Sequence, residues 1–238
     1  MKKEINGNGN ITIKIMIEIA IVLAIMLIIK WIMDFINVIG AGSIAIWSGI
    51  IMATIFIKQR KLTWRELGLE LPTGRKTWLK TIGLALVSAI VVIVFMAIAL
   101  PLIVNVLGLE TPPDASDRFA FFLGKPLVFS MYLVGVVWFG AALGEELLMR
   151  GYLLNRLADL FGKSKKGWTL ALIIHAIIFG SLHIYQGFPG VIGSGVAALV
   201  FGIFYIAGKR RLLPVIIGHG LINSISLIAY YISNGTIT

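Results

Sequence analysis

The sequence predicts an all-α, polytopic transmembrane helix bundle of seven to eight spans, with a polar cavity opening inside the membrane. Three observations predict it. The 238 residues are 58% hydrophobic and only 13% charged, with a mean hydropathy of +0.96, where soluble domains carry about 25% charged residues. The apolar runs are long and lack the dyad alternation of outer-membrane strands, which selects helices over a barrel. Most of the charge gathers in the short segments between those runs, and the few ionisable residues left inside them point to a cavity.

Taken in order, the polar start Met1–Asn10 leads into a first span, Ile11–Ile29, in which Lys14 and Glu18 are four apart and able to pair. A signal peptide needs a shorter apolar core and small residues at a cleavage site, so this run is retained as a helix. Val38–Ile57 is the second span, with Gly40, Gly42, Ser43 and Gly49 permitting close helix contact. The segment 58–80 holds Lys58, Arg60, Lys61, Arg65, Arg75, Lys76 and Lys80 against Glu66 and Glu70. This excess places it, and the N-terminus, on the cytoplasmic side. Within it Thr63–Leu69 reads either as a short interfacial helix capped by Thr63, with Trp64 at the headgroups, or as a solvated basic loop.

Leu79–Val104 is a third span, long enough to tilt. Asn105–Pro126 lacks a basic excess and carries the helix-breaking Pro112-Pro113, so it lies outside. Leu127–Leu143 runs inward, and Arg150, Arg156, Lys163, Lys165 and Lys166 then mark a cytoplasmic segment. Trp168–Ile184 and Val191–Ala207 form a hairpin around the uncharged Gln186–Gly190, Lys209-Arg210-Arg211 is again cytoplasmic, and Pro214–Ile232 is the last span. A partly embedded Tyr152–Phe161 would make eight. The chain reads as one membrane domain, 1–238, with accessory spans and the basic loop in 1–104 and the residues that carry chemistry in 126–232.

The net charge of +10 is explained by positive-inside topology, and no soluble domain is available to carry nucleic-acid binding. With no cysteine in the chain, disulfides, thiolate catalysis and thiolate metal sites are excluded.

Glu145, Glu146 and Arg150 follow directly on an apolar run. Each such charge costs roughly 2.5–3.5 kcal/mol at the centre of a membrane helix. Glu146 and Arg150 share a helix face and are expected to pair, which leaves Glu145 over. The three histidines of the chain, His175, His183 and His219, all fall inside apolar runs. His175, Phe179 and His183 form one helical stripe, and His219 shares a face with Asn223. A single membrane histidine is as readily a helix-packing hydrogen bond as a functional group. Six costly groups on three helices are more naturally the lining of one polar cavity.

Amide hydrolysis needs an activated water, donors for an oxyanion and a proton for the leaving amine. Glutamate and histidine supply the first and last, and an asparagine side chain supplies a donor. Competing chemistries lack their residues: there is no His-Glu-x-x-His, no Gly-x-Ser-Gly nucleophile loop and no pair of intramembrane aspartates. Glutamate-based chemistry or a metal held by Glu and His remains.

Glu145-Glu146-x-x-x-Arg150, Phe179-x-x-x-His183 and His219-x-x-x-Asn223, in that order on successive spans, resemble the CPBP family: type II CAAX prenyl endopeptidases, Abi-type proteins and bacteriocin-processing or self-immunity proteins. Gly180–Gln186 also looks like that family, and Trp64–Gly68 is a weaker echo upstream. The resemblance covers roughly Leu127–Ile232, somewhat under half the chain. It implies a membrane-embedded peptidase that cleaves near the C-terminus of a membrane-associated protein or lipidated peptide. By that resemblance Glu145 and His183 activate the water, His219 and Asn223 stabilise the oxyanion, and Glu146 with Arg150, beside Phe179, holds the first helix's geometry. The family is described both as metal-dependent and as using a metal-free glutamate mechanism. The metal-free reading is favoured because Asn is a poor zinc ligand; zinc held by Glu145, His183 and His219 is the alternative.

Two other functions compete: a non-catalytic immunity or scaffold protein of the same fold, and a proton-coupled transporter, which usually shows a repeat symmetry not found here. The expected location is the plasma membrane of a prokaryote. His175 has no place in the family pattern and reads as a packing or cavity-lining residue. The topology also sets a depth problem. On straight helices Glu145 and His219 lie towards the cytoplasmic end, with His183 about 22 Å beyond them. A shared site requires either a deeper or tilted His183 helix, or a Glu145 nearer mid-depth.

Overall fold

A computed structural model describes residues 2–110 and 117–235, with the side chains of 11–110 and 119–235. The expected break at Pro112-Pro113 lies outside the described residues. Those described form an all-α membrane bundle in which six helical segments are long and apolar enough to cross a bilayer. We number the helices α1 (Lys2–Phe35) and α2 (Ala41–Gln59), α3 (Arg75–Leu107) and α4 (Pro126–Leu160), and α5 (Lys165–Ser181), α6 (Gly187–Ala207) and α7 (Leu213–Ile232).

In α1, Ile15, Ile19, Val22 and Met26 are buried against the bundle, at the four-and-three spacing that puts them on one stripe. Ile13, Ile17, Ile21 and Ile28 face outward, as a lipid-facing surface requires. The expected Lys14–Glu18 pair does not form. Glu18 instead takes a two-pronged bond from Arg60 at the end of α2, 2.8 and 2.9 Å, because the planar guanidinium matches both carboxylate oxygens where an ammonium meets one. Gly49 lets α2 approach α4: a Cβ there would stand 2.9 Å from Leu148 Cδ2.

The Thr63–Gly68 segment is neither of the two forms read from the sequence. Thr63 and Glu66 make a capping box, with Thr63 N donating to Glu66 Oε2 (2.7 Å) and Glu66 N to Thr63 Oγ1 (3.3 Å), but a single turn follows it. Gly68, at φ +102°, ends that turn. Trp64 points inward and donates to Thr54 Oγ1 at 3.0 Å, and Leu67 is buried. The loop is a plug at the basic end of the bundle.

A π-turn, Phe95–Ala99, interrupts α3 just before Pro101, whose missing N–H and ring disturb the preceding turn. Helix α4 is the axis of the fold, packing against α1, α2, α5, α6 and α7. Its backbone follows the wide π pattern over Leu133–Leu154; such widening is rare and is frequent at functional sites. It does not stop at the charged motif but runs on to Leu160, so Tyr152–Phe161 is the end of this span and not an eighth one. The segment Asp117–Phe122 returns over the opposite end, where Phe119, Phe122, Tyr132 and Tyr230 pack edge to face.

Helix α5 starts at Ser164, whose Oγ accepts from Gly167 N at 3.0 Å. Its 17 residues make it shorter than any of the six spans. It ends at Ser181, short of the expected Ile184, and α6 starts at Gly187 within the expected turn.

Candidate active site

Glu145 and Glu146 lie close to the middle of α4, not at its inner end, because the charges that end this helix are Arg156 and Asp159, bridged at 2.8 Å. Since α5 follows α4 through a short turn and packs back along it, the far end of α5 lies beside the middle of α4.

The core of the site is a shared oxygen. Arg150 Nη1 donates to Glu146 Oε1 at 2.9 Å, and His219 Nδ1 donates to the same oxygen at 2.8 Å. Glu146 and Arg150 are wholly buried, and His219 is 12% exposed. Two rings clamp the guanidinium: its carbon lies 4.9 Å from the Phe179 ring and 5.7 Å from that of Phe201. Phe201 also stacks on His219 at 5.6 Å. An arginine between aromatic faces keeps favourable contacts where water is excluded.

His183 sits just beyond the end of α5, in a turn and not on the helix. Its ring is 4.8 Å from that of Phe179, and its Nδ1 meets the Phe179 carbonyl at 2.9 Å. A carbonyl only accepts, so Nδ1 carries a proton and Nε2 is the nitrogen left to face outward. The bond to a carboxylate likewise makes Nδ1 of His219 the donor and turns Nε2 away from Glu146. Both histidines are thus held by one nitrogen and offer the other.

The structure joins Glu146, Arg150, Phe179, His183 and His219 through this chain of contacts. It also places Asn223 one turn beyond His219 on α7, partly buried. Glu145 is partly buried and makes no hydrogen bond to another described side chain. The expectation that Glu145 meets the histidines while Glu146 serves Arg150 is therefore redrawn at one point: the carboxylate bonded to a histidine is Glu146. The wide helix and the approach of α7 bring His219 to the face that Glu146 already shares with Arg150. That approach is close, for a Cβ on Gly220 would lie 2.6 Å from the Trp138 ring.

Among the described residues no three His, Asp or Glu side chains gather closely enough to hold a metal ion. Glu145, His183 and His219 do not form such a group in this structure.

Phe201 escaped the sequence reading. It lies in an apolar stretch of α6 with no polar neighbour, and only its position over Arg150 and His219 distinguishes it. His175 is fully buried with both ring nitrogens lacking a protein partner, as are Glu146 Oε2 and two nitrogens of Arg150. Its ring stacks at 6.4 Å on Phe179, the ring that covers Arg150.

The stretch 126–225 matches the family model described as type II CAAX prenyl endopeptidase, Rce1-like. That stretch contains Glu145, Glu146, Arg150, Phe179, His183, His219 and Asn223, and it is fewer than half of the residues. No curated protein and no solved structure matches the chain.

Proposed function

We propose that the protein is a membrane-embedded endopeptidase of the CAAX-protease type. It would hydrolyse a peptide bond near the C-terminus of a membrane-associated protein or lipidated peptide. The observation that carries this reading is the Arg150–Glu146–His219 arrangement, in which one buried carboxylate oxygen orients a histidine and is itself fixed by a clamped guanidinium.

In this reading Glu145, the carboxylate left without a bond, accepts a hydrogen bond from the attacking water, and His183 Nε2 takes its proton. A histidine held through Nδ1 with Nε2 turned outward is suited to that task. The Asn223 amide and, when its ring carries a proton on Nε2 as well as on Nδ1, His219 donate to the oxyanion that develops on the scissile carbonyl. His183, once protonated, returns its proton to the leaving amine. Glu146 and Arg150 touch no reacting atom; they are positioning residues acting through His219. The basic end faces the cytoplasm by the positive-inside rule, and the protein lies in the plasma membrane.

The test is cleavage of a prenylated or membrane-tethered peptide by the protein purified in detergent. Glu145→Ala and His183→Ala are each expected to lower the rate by about 10²–10⁴-fold, the usual contribution of a positioned acid or base. Full activity in both variants would refute the assignment.

A further inference from the structure

A concavity of about 300 Å³ opens at the basic end of the bundle, away from the site above. One wall is the first turns of α3, with Lys76, Thr77, Lys80 and Thr81; the other is the α6–α7 turn, with Lys209 and Arg211. Four cations and two hydroxyl-bearing side chains line it, and no carboxylate does. Positive-inside topology accounts for basic residues at this end of the molecule. It does not account for their convergence on one hollow from two distant parts of the chain.

Two further observations give the hollow a chemistry. Among the described residues no carboxylate pairs with Lys76, Lys80 or Lys209, whereas Arg211 Nε is fixed by Glu70 Oε1 at 2.8 Å. The rim is also built at a conformational cost. Lys209 and Arg210 are consecutive left-handed residues, φ +61° and +59°, a conformation disfavoured by a Cβ and natural to glycine. The adjacent Gly208, which would adopt it freely, has an ordinary φ of −77°. The turn places long cations where small residues fit best, and such outliers mark functional segments. Apolar groups adjoin the charge. Leu84 and Pro214 complete the lining, and Val87 and Val91, 50% and 41% exposed, continue the stripe of Lys80 and Leu84 along α3.

We propose that this hollow binds the phosphate of an anionic phospholipid headgroup, with the acyl chains descending over Leu84 and the exposed Val87 and Val91 of α3. Basic pockets between spans recognise anionic headgroups through this combination of charge and adjacent apolar surface. The phosphate chemistry is shared with free phosphate, but the apolar face beside the hollow has a use only for the lipid. The inference does not depend on the peptidase reading.

The experiment follows thermal unfolding of the full chain in a neutral detergent, titrated separately with phosphatidylglycerol, phosphatidylcholine and inorganic phosphate. Phosphatidylglycerol is expected to raise Tm saturably, and phosphatidylcholine and millimolar phosphate to leave it unchanged. The triple variant K76Q/K80Q/K209Q is expected to need at least tenfold more phosphatidylglycerol for the same shift. The variant K58Q/K165Q/K166Q, which removes equal charge from the same end, is expected to respond as the parent does. An equal loss in both variants would overturn the site in favour of diffuse attraction, and an equal shift with phosphatidylcholine would overturn headgroup recognition. A shift with phosphate alone would identify a soluble anion and overturn the lipid.

Discussion

Two buried polar clusters lie on α4, one turn or so apart, and they are built on opposite principles. At the basic end, Asn155 Nδ2 donates one hydrogen to Tyr205 Oη at 2.8 Å and shares the other between the Arg150 and Gly151 carbonyls, both 2.9 Å. Tyr205 in turn donates to the Leu67 carbonyl at 2.9 Å, and the Gly68 carbonyl accepts from Leu212 N at 2.9 Å. Every polar atom named in that network has a partner. Nearer the middle of the span, Glu146 Oε2, Arg150 Nε and Nη2 and both nitrogens of His175 have none. A satisfied buried network rigidifies a fold, whereas each unsatisfied group costs about 1–3 kcal/mol and calls for an explanation. The first cluster locks the loop 58–74 and the start of α7 onto α4. The second is polar without being closed, which leaves its groups open to partners from outside the fold.

The contrast can be broken at either end. The largest effect on stability is expected from Glu146→Ala, which strands a buried guanidinium and should cost about 3–5 kcal/mol. The double variant Glu146→Leu/Arg150→Met should recover most of that, since apolar replacement of both partners is often neutral. It should nevertheless remain inactive in peptide cleavage. Thermal unfolding and cleavage rates, measured together, separate the two outcomes; recovery of activity in the double variant would show that the pair does not position His219.

Gly68→Ala comes next. Its Cβ would stand 2.0 Å from the Arg210 carbonyl oxygen at a positive φ, and such strain costs on the order of 1–3 kcal/mol. The loop is expected to lift from α7, giving a lower Tm and faster proteolysis at Lys61 and Arg65 with the cleavage activity of the folded fraction retained. Tyr205→Phe should cost less, about 1–2 kcal/mol, by leaving the Asn155 and Leu67 groups short of a partner. It too should spare activity, and a loss of activity without loss of stability would dissolve the distinction between the clusters. The smallest change in stability, below about 0.5 kcal/mol, is expected for His183→Ala in a partly exposed turn. That variant should show the contrast most sharply: an almost unchanged Tm with cleavage abolished.

The motif residues were legible from the sequence because a charge in an apolar run is costly enough to stand out, and the pairing of Glu146 with Arg150 follows from four-residue spacing. The partner of Glu18 was not legible. Lys14 is its local candidate, but the choice of Arg60 depends on how α1 lies against α2. Nor was the inner end of α4. Hydropathy stops the run at Leu143 because Glu145, Glu146 and Arg150 lower it, yet the helix continues to Leu160, since those groups are sheltered by α5, α6 and α7 and not exposed to lipid. The loop plug at Leu67 and Gly68 and the clamp at Phe201 carry no local signal, because each is defined by what it touches.

Composition and spacing alone determined the membrane class, the helical architecture and the pairing of Glu146 with Arg150, because transfer energies and helical periodicity act on the local sequence. Tertiary structure alone decided which glutamate meets a histidine and which rings enclose the arginine. Those depend on the wide turn of α4 and the approach of α7, and no residue encodes by itself the distance to a helix some seventy positions away.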